Sequence, residues 1–375
     1  MRLTYFTHSL ASCWNHGNAH FIRGILREMK KRGHEAVAYE PAESWSRDNL
    51  VADHGETPIA AFRSRFPDLT SIFYDRPDFD EAAAASDIII VHEWTEPSVV
   101  AELGRLRRQG SEFLLLFHDT HHRAVSDPDV IRRLPISDYD GILAFGESLA
   151  EIYRRWGWGD RVFVWHEAAD LSTFTPPTEE GERNGIVFVG NWGDDERNVE
   201  LERFLFGPVE EEGLTLKVHG VRYPPQALAR LAACGADYRG WIANAEVPDV
   251  FARQTATVHV PRRFYVEHLP GIPTIRVFEA LACGIPLVSA YWPDEEALFR
   301  PGQDYLVVHD REEARRSLRA VSEDRDLAGE LALNGLETVR ARHSCAHRVD
   351  ELLAIMRALR PGGLSLEPAA PAEVI

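Results

Sequence analysis

The chain has 375 residues, with 41 Lys and Arg against 59 Asp and Glu and a formal net charge of −18. At about 150 residues per domain that length predicts two to three domains, because a single core seldom outgrows about 250–300 residues. The composition, 45% hydrophobic, 27% charged and 10% aromatic, excludes a disordered chain, a collagen and a small disulfide scaffold, and the acidity argues against nonspecific binding to nucleic acid or anionic membrane.

Leu3–Phe6 reads as a short apolar strand. A loop over Ser12–Asn18 follows, and then Phe21, Ile22, Ile25, Leu26 and Met29 recur at helical spacing until Arg32–Gly33–His34 stops the helix. Strands are expected at Ala36–Tyr39, Asp87–His92, Phe113–Phe117, Gly141–Phe145 and Arg161–Trp165, with helices at Val99–Arg108 and Glu147–Trp156. Around Asp170–Asn184 the pattern lapses into a Pro-rich polar stretch, a linker composition. It restarts with strands at Ile186–Val189, Leu214–His219, Thr257–Val260, Ile285–Ser289 and Tyr305–Val308. Helices alternate at Leu201–Phe206, Gln226–Ala233, Pro248–Gln254 and Thr274–Ala282, and three more close the chain at Arg311–Val321, Arg325–Ala341 and Cys345–Leu359. Continuous apolar strands alternating with helices predict an α/β fold of parallel sheets covered on both faces. The expected division is 1–177 as a first Rossmann-like domain and 178–345 as a second. A terminal helix at 346–360 is placed to pack back on the first domain, and a disordered tail is expected at 361–375. Ligands of open α/β sheets bind outside the carboxyl ends of the strands, so two such lobes suggest a cleft.

Cys13, Cys234, Cys283 and Cys345 are far apart, with no CxxC, and read as small buried hydrophobes. The first residues lack the long apolar core of a signal peptide, and no apolar run reaches membrane-span length. The expected location is cytoplasmic, with no integral membrane segment.

The chemistry concentrates in the second half. Pro273 to Val288 reads as a helix opening after Pro273, with Gly284 as its stop and a buried strand beyond. A helix start at Thr274 and Ile275 offers N–H groups to an anion. Arg276 adds a guanidinium, and Glu279, about a turn inside, suits vicinal hydroxyls. An ordinary amphipathic helix with a solvated Arg and Glu explains the same letters equally well.

This segment, FEALACGIPLV at its centre, resembles the C-terminal-lobe motif of the group 1 glycosyltransferases, in particular the CgeB-like branch. The resemblance covers most of the chain and implies the GT-B fold, two Rossmann-like domains facing across a cleft, with the acceptor on the first and a nucleotide diphosphate-sugar on the second. It implies that Glu279 holds the donor ribose and that Thr274, Ile275 and Arg276 meet the diphosphate. Many relatives carry a second glutamate eight positions before the first; here that position is Gly271, which leaves the sugar and the stereochemical outcome open. The resemblance also puts Gly190, Asn191 and Arg197 at the donor, and Trp241 and Ile242 at the nucleotide base. Arg262 and Arg263 follow a buried strand in an acidic protein, a local phosphate clamp or two solvated arginines.

In the first half, Gly17 matches the family's N-terminal glycine loop, although no G-x-G-x-x-G is present. His118 matches a histidine that relatives place near the donor sugar, and Asp119 can orient an imidazole or act as a base. Glu167 lies in a stretch resembling the family's hinge and is a further acid/base candidate. His118–His122 invites a metal reading, but neighbours on one loop seldom converge on one ion without a distant ligand, so no metal site is assigned. The resulting expectation is a metal-independent glycosyltransferase. It needs no cofactor, takes a UDP- or GDP-sugar first, and acts on an acceptor that is a glycan, a lipid-linked group, a small molecule or a protein. The rivals are a GT-B epimerase or phosphorylase and a noncatalytic nucleotide-sugar-binding protein.

Overall fold

The computed structural model describes residues 1–179 and 181–360; the tail expected at 361–375 lies outside the described residues. The chain divides into two compact units. One is Met1–Glu167 together with the closing helix Cys345–Leu359; the other is Ala168–Ser344.

The first unit holds seven parallel strands: β1 (Arg2–Phe6), β2 (Glu35–Pro41), β3 (Thr70–Tyr74), β4 (Ile88–His92), β5 (Leu114–Asp119), β6 (Gly141–Ala144) and β7 (Val162–Val164), in the order β3-β2-β1-β4-β5-β6-β7. The central strands are buried along nearly their whole length, as their continuous Ile, Leu and Val runs require when helices cover both faces. Register is set by pairs such as Tyr5 with Ile90 and Val91 with Phe117. The helix Ala19–Lys31 follows β1 and buries Phe21, Ile22, Ile25, Leu26 and Met29; Gly33, at φ +80°, turns the chain out of it.

The second unit repeats the plan with six parallel strands: β8 (Ile186–Val189), β9 (Leu216–His219), β10 (Asp237–Gly240), β11 (Ala256–His259), β12 (Leu287–Ala290) and β13 (Leu306–Val308), ordered β10-β9-β8-β11-β12-β13. Both sheets therefore share the doubly wound 3-2-1-4-5-6 order, extended by a seventh strand in the first, with its switch of direction beside the first strand. Its core joins Ile186, Phe188, Leu205, Leu216, Val258 and Val288.

Three differences from the expected elements have physical causes. The stretch between β2 and β4, read without elements before its Ala-rich end, forms the helices Trp45–His54, Thr57–Arg65 and Phe79–Ala85 and the edge strand β3. β3 is mostly half-exposed, so its sequence, TSIFY, lacks the apolar continuity of a central strand. The helix from Glu147 is regular only to Tyr153; wider turns follow to Trp158, with Gly157 at φ +99°. Residues 170–174 form a turn in the second unit, where Asp170 accepts bonds from the Ser172 N–H (3.0 Å) and the Thr173 hydroxyl (2.9 Å).

Candidate active site

In the second unit the carboxyl ends of β8, β9 and β11 meet the start of the helix Ile275–Ala282. β8 leads into Gly190, whose N–H donates to His219 O (2.8 Å) while Tyr223 donates to its carbonyl (2.9 Å). Asn191 follows, its side-chain oxygen accepting from Val221 N–H (2.9 Å). Beneath this turn runs Arg197, which donates to Val260 O at 3.1 Å and to the Asn191 carbonyl. Burial, reinforced by the positive charge of Arg262, lowers its pKa to about 10, and Arg276 pushes the same way. Both Arg262 and Arg276 thus lie within electrostatic reach of Arg197.

Each is held in place. Arg262 donates to Glu196 (2.5 Å). Arg263 opens the short helix Arg263–Glu267 and donates to Glu200 (2.8 Å) and Asn198 (3.1 Å). Arg276 pairs with Glu279, whose side chain is fully buried one turn further along. Thr274 is the N-cap residue of the helix, in extended conformation, and its hydroxyl points to the imidazole of His259 (3.1 Å) rather than to the helix N–H groups. His259 is fixed on its other side by Ser289 (2.9 Å). At the far end Gly284, φ +60°, allows Ile285 N–H to reach back to Ala280 O, the expected stop.

The structure therefore brings Gly190, Asn191, Arg197, Arg262, Thr274, Ile275, Arg276 and Glu279 to one set of strand ends. Arg263 faces the 195–200 segment, and Trp241 and Ile242 are half-buried on the loop after the edge strand β10. Gly271 sits at φ +89°, and a Cβ there would lie 3.2 Å from a Glu296 carboxylate oxygen. A carboxylate thus stands beside the position where the resemblance led us to expect one, contributed from the loop after β12.

In the first unit the three acid/base candidates are enclosed. His118 has no exposed surface; it bonds to the Tyr5 hydroxyl, packs its ring 4.8 Å from Trp165, and burial lowers its pKa to about 3. Asp119 is equally buried, accepting from the Tyr153 hydroxyl (2.7 Å) and from His121 N–H (3.1 Å), and burial raises its pKa. Glu167 is 3% exposed, and its carbonyl accepts from Arg348 at 3.4 Å. Gly17 lies in the turn before the helix Ala19–Lys31, its carbonyl accepting from His20 N–H (3.3 Å). Among the described residues no group of three or more His, Cys, Asp or Glu could hold a metal ion.

Residues 197–354 match a family described as glycosyl transferase-like. The HepE protein of Anabaena, solved with UDP and glucose, superposes with a TM-score of 0.66 at 12% identity, covering 96% of this chain and 100% of that one. Sucrose-phosphate synthase from Thermosynechococcus elongatus gives 0.66 at 14% identity, over 97% and 100%. An alpha-glucosyltransferase solved with UDP and a 13-mer DNA gives 0.67 at 14%, over 95% and 99%. None of the curated sequences compared matches the chain.

The chain has the GT-B fold of these structures. The helix motif that suggested this glycosyltransferase family lies inside the matched stretch. The residues that sequence reading missed, His259, Ser289 and Glu296, lie on other elements; their one available signal was that each ends or follows an apolar strand.

Proposed function

We propose that the chain is a glycosyltransferase that takes a nucleotide diphosphate-sugar as donor and holds it on the second unit. The observation that carries the reading is the convergence of Arg197, Arg262 and Arg276 on the helix start at Thr274 in a protein of net charge −18. Three guanidiniums fixed beside a helix N-terminus form an anion site that needs no reorganisation when charge develops. As the bond from the sugar carbon to the diphosphate oxygen breaks, the diphosphate leaves with the electron pair. The acceptor oxygen forms the new bond to that carbon and gives up its proton to the departing diphosphate oxygen. Arg276 and Arg262 are the groups assigned to the departing charge, and Arg197 braces them from below. Glu279, already oriented by Arg276, is assigned the ribose hydroxyls; Trp241 and Ile242 the base. The fixed cations supply the stabilisation, so no divalent metal or other cofactor is called for in this reading. UDP in the HepE and alpha-glucosyltransferase structures favours a UDP-sugar. The CgeB-like branch rests on the FEALACGIPLV segment alone. Because His118, Asp119 and Glu167 are enclosed, we assign them positioning roles: Asp119 orients the loop after β5 through His121 N–H, and His118 orders Tyr5.

Calorimetric titration with UDP-, GDP-, dTDP- and ADP-glucose tests the donor site. One of them should bind, and Arg276→Ala should weaken it about tenfold or more, the value of a charge-assisted hydrogen bond. If Arg276→Ala and Glu279→Ala both leave donor affinity unchanged, the site is misassigned. Product analysis with and without acceptors separates transfer from epimerisation, phosphorolysis and plain binding.

A further inference from the structure

The first unit carries a second cluster that the donor reading does not use, at the carboxyl ends of β1, β4 and β5. β4 runs directly into Glu93 and Trp94. Trp94 is 45% exposed, among few large apolar side chains so placed. Its ring is braced from one side by Arg123, whose guanidinium lies 3.9 Å from the ring centroid. Arg123 is itself pinned by the Glu93 carboxylate and the Glu93 carbonyl (2.5 Å). The ring is thus a fixed platform rather than a stray surface residue.

Beside it stand His8, 6.1 Å from the Trp94 ring, and His16, 4.1 Å from His8. Three polar atoms here are buried without a hydrogen-bond partner: His8 Nδ1, His16 Nε2 and Glu93 Oε1. His16 is 6% exposed and Glu93 2%. A buried polar atom left unpaired is costly, and three in one cluster beside an exposed aromatic ring point to a ligand that supplies hydroxyls. Burial first, then Arg123, lowers the His8 pKa to about 4, and burial lowers His16 well below its usual value, so both rings are neutral. A neutral imidazole both donates and accepts, as a hydroxyl does. Two cations act on these rings: Arg123 is paired with Glu93, and the buried Arg23 donates to the Leu10 and Ala11 carbonyls, so neither a phosphate nor an ammonium group meets an unpaired opposite charge.

We infer that this cluster binds the acceptor, and that the acceptor is an uncharged carbohydrate. The apolar C–H face of its ring lies on Trp94 and its hydroxyls meet His8, His16 and Glu93. A pyranose combines an apolar face with a hydroxyl-bearing edge, the combination the cluster presents. The inference rests on the reading of the chain as a sugar-transferring enzyme and narrows its acceptor from any hydroxyl compound to a neutral glycan.

The test uses the full chain, fluorescently labelled, on an array of neutral, sialylated and phosphorylated oligosaccharides, with single-stranded DNA and sugar-free aromatic alcohols as controls. Neutral glycans should be retained. Trp94→Ala should weaken the retained glycan about tenfold or more, and Trp94→Phe, which keeps an aromatic face, by about threefold or less. UDP-glucose affinity measured by calorimetry should be the same in all three proteins, which also shows that the variants are folded. Retention of no neutral glycan, retention of DNA or sugar-free aromatics alone, or a Trp94→Ala protein within twofold of wild type overturns the inference. Loss of nucleotide-sugar binding in the wild type would instead overturn the donor reading, a separable result.

Discussion

Ser289 donates its hydroxyl proton to Ala290 O (2.8 Å), so toward His259 it can only accept. His259 must then carry its proton on Nδ1 and accept at Nε2 from the Thr274 hydroxyl. That tautomer is neutral, and burial, with Arg197 adding to it, lowers the His259 pKa to about 3. The same holds elsewhere: burial lowers His8 and His219 to about 4 and His118 to about 3, and it lowers His16 and His92 well below the ordinary 6.5. In the unfolded chain these rings take up protons below about pH 6.5; in the folded chain they do not until about pH 4 or lower. The unfolded state therefore binds more protons, and stability falls as pH drops through that window, by about 1.4 kcal/mol per pH unit for each ring that titrates. Glu93, Asp119 and Asp294 act in the opposite sense, since burial raises their pKa values and the folded state holds their protons longer. The six histidines outnumber them. Calorimetric Tm should fall steadily from pH 7.5 to 5.5, more steeply below 6.5; a flat Tm across that range would contradict neutral burial of these rings.

At the scale of elements, the ends of β8, β9 and β10 are knitted backbone to backbone. Gly220 N–H donates to Gly240 O (2.8 Å), Tyr238 donates to the Gly220 carbonyl (2.9 Å), and a Cβ on Gly220 would lie 2.1 Å from Gly190 O. That neighbour is main chain at the turn assigned to the donor, and it cannot rotate away. Gly220→Ala should therefore cost about 2 kcal/mol or more in urea unfolding. Gly213→Ala, at φ +62° in open space, should cost about 1 kcal/mol for its backbone conformation alone. Equal costs would mean that the strand ends are not so closely apposed. Such contacts also show what sequence can and cannot carry. The buried strands and the helix Ile275–Ala282 were legible because their signals are contiguous: an apolar run, a polar helix start, a glycine stop. The edge strands β3 and β10 were not, since half-exposed strands such as TSIFY and DYRG have no apolar continuity. The pairs that complete the sites join residues distant in sequence: His259 with Thr274, Gly271 with Glu296, Trp94 with Arg123. No local pattern announces them; only the parallel sheet, by collecting strand ends on one edge, brings them together. His118 and Asp119 show the converse: polar letters at a strand end that the structure encloses completely.

For the whole molecule, the feature that matters most is that the first unit is built from both ends of the chain. Cys345–Leu359 packs along Ala19–Lys31, burying Val349, Leu352, Ile355 and Met356. Arg32 crosses to Asp350 (2.5 Å) and to Ala346 O (2.9 Å), and the buried Trp165 donates its indole N–H to Arg348 O (2.8 Å). The Arg32 pair is partly exposed and contributes little; the apolar contacts carry the attachment. A first unit made from residues 1–167 alone would expose the matching face of Ala19–Lys31 and leave Trp165 without its acceptor. Leu352 has no exposed surface, so Leu352→Ala should destabilise by about 2–5 kcal/mol, the loss of burial plus the cavity left behind. The location of the effect is the informative part. Local opening is governed by the contacts of each cooperative segment, so amide exchange should quicken first in Ala19–Lys31, β1 and β7 and leave β8 to β12 protected until global unfolding. Uniform acceleration through both sheets would show instead that the closing helix is held by the molecule as a whole and not by the unit into which it folds.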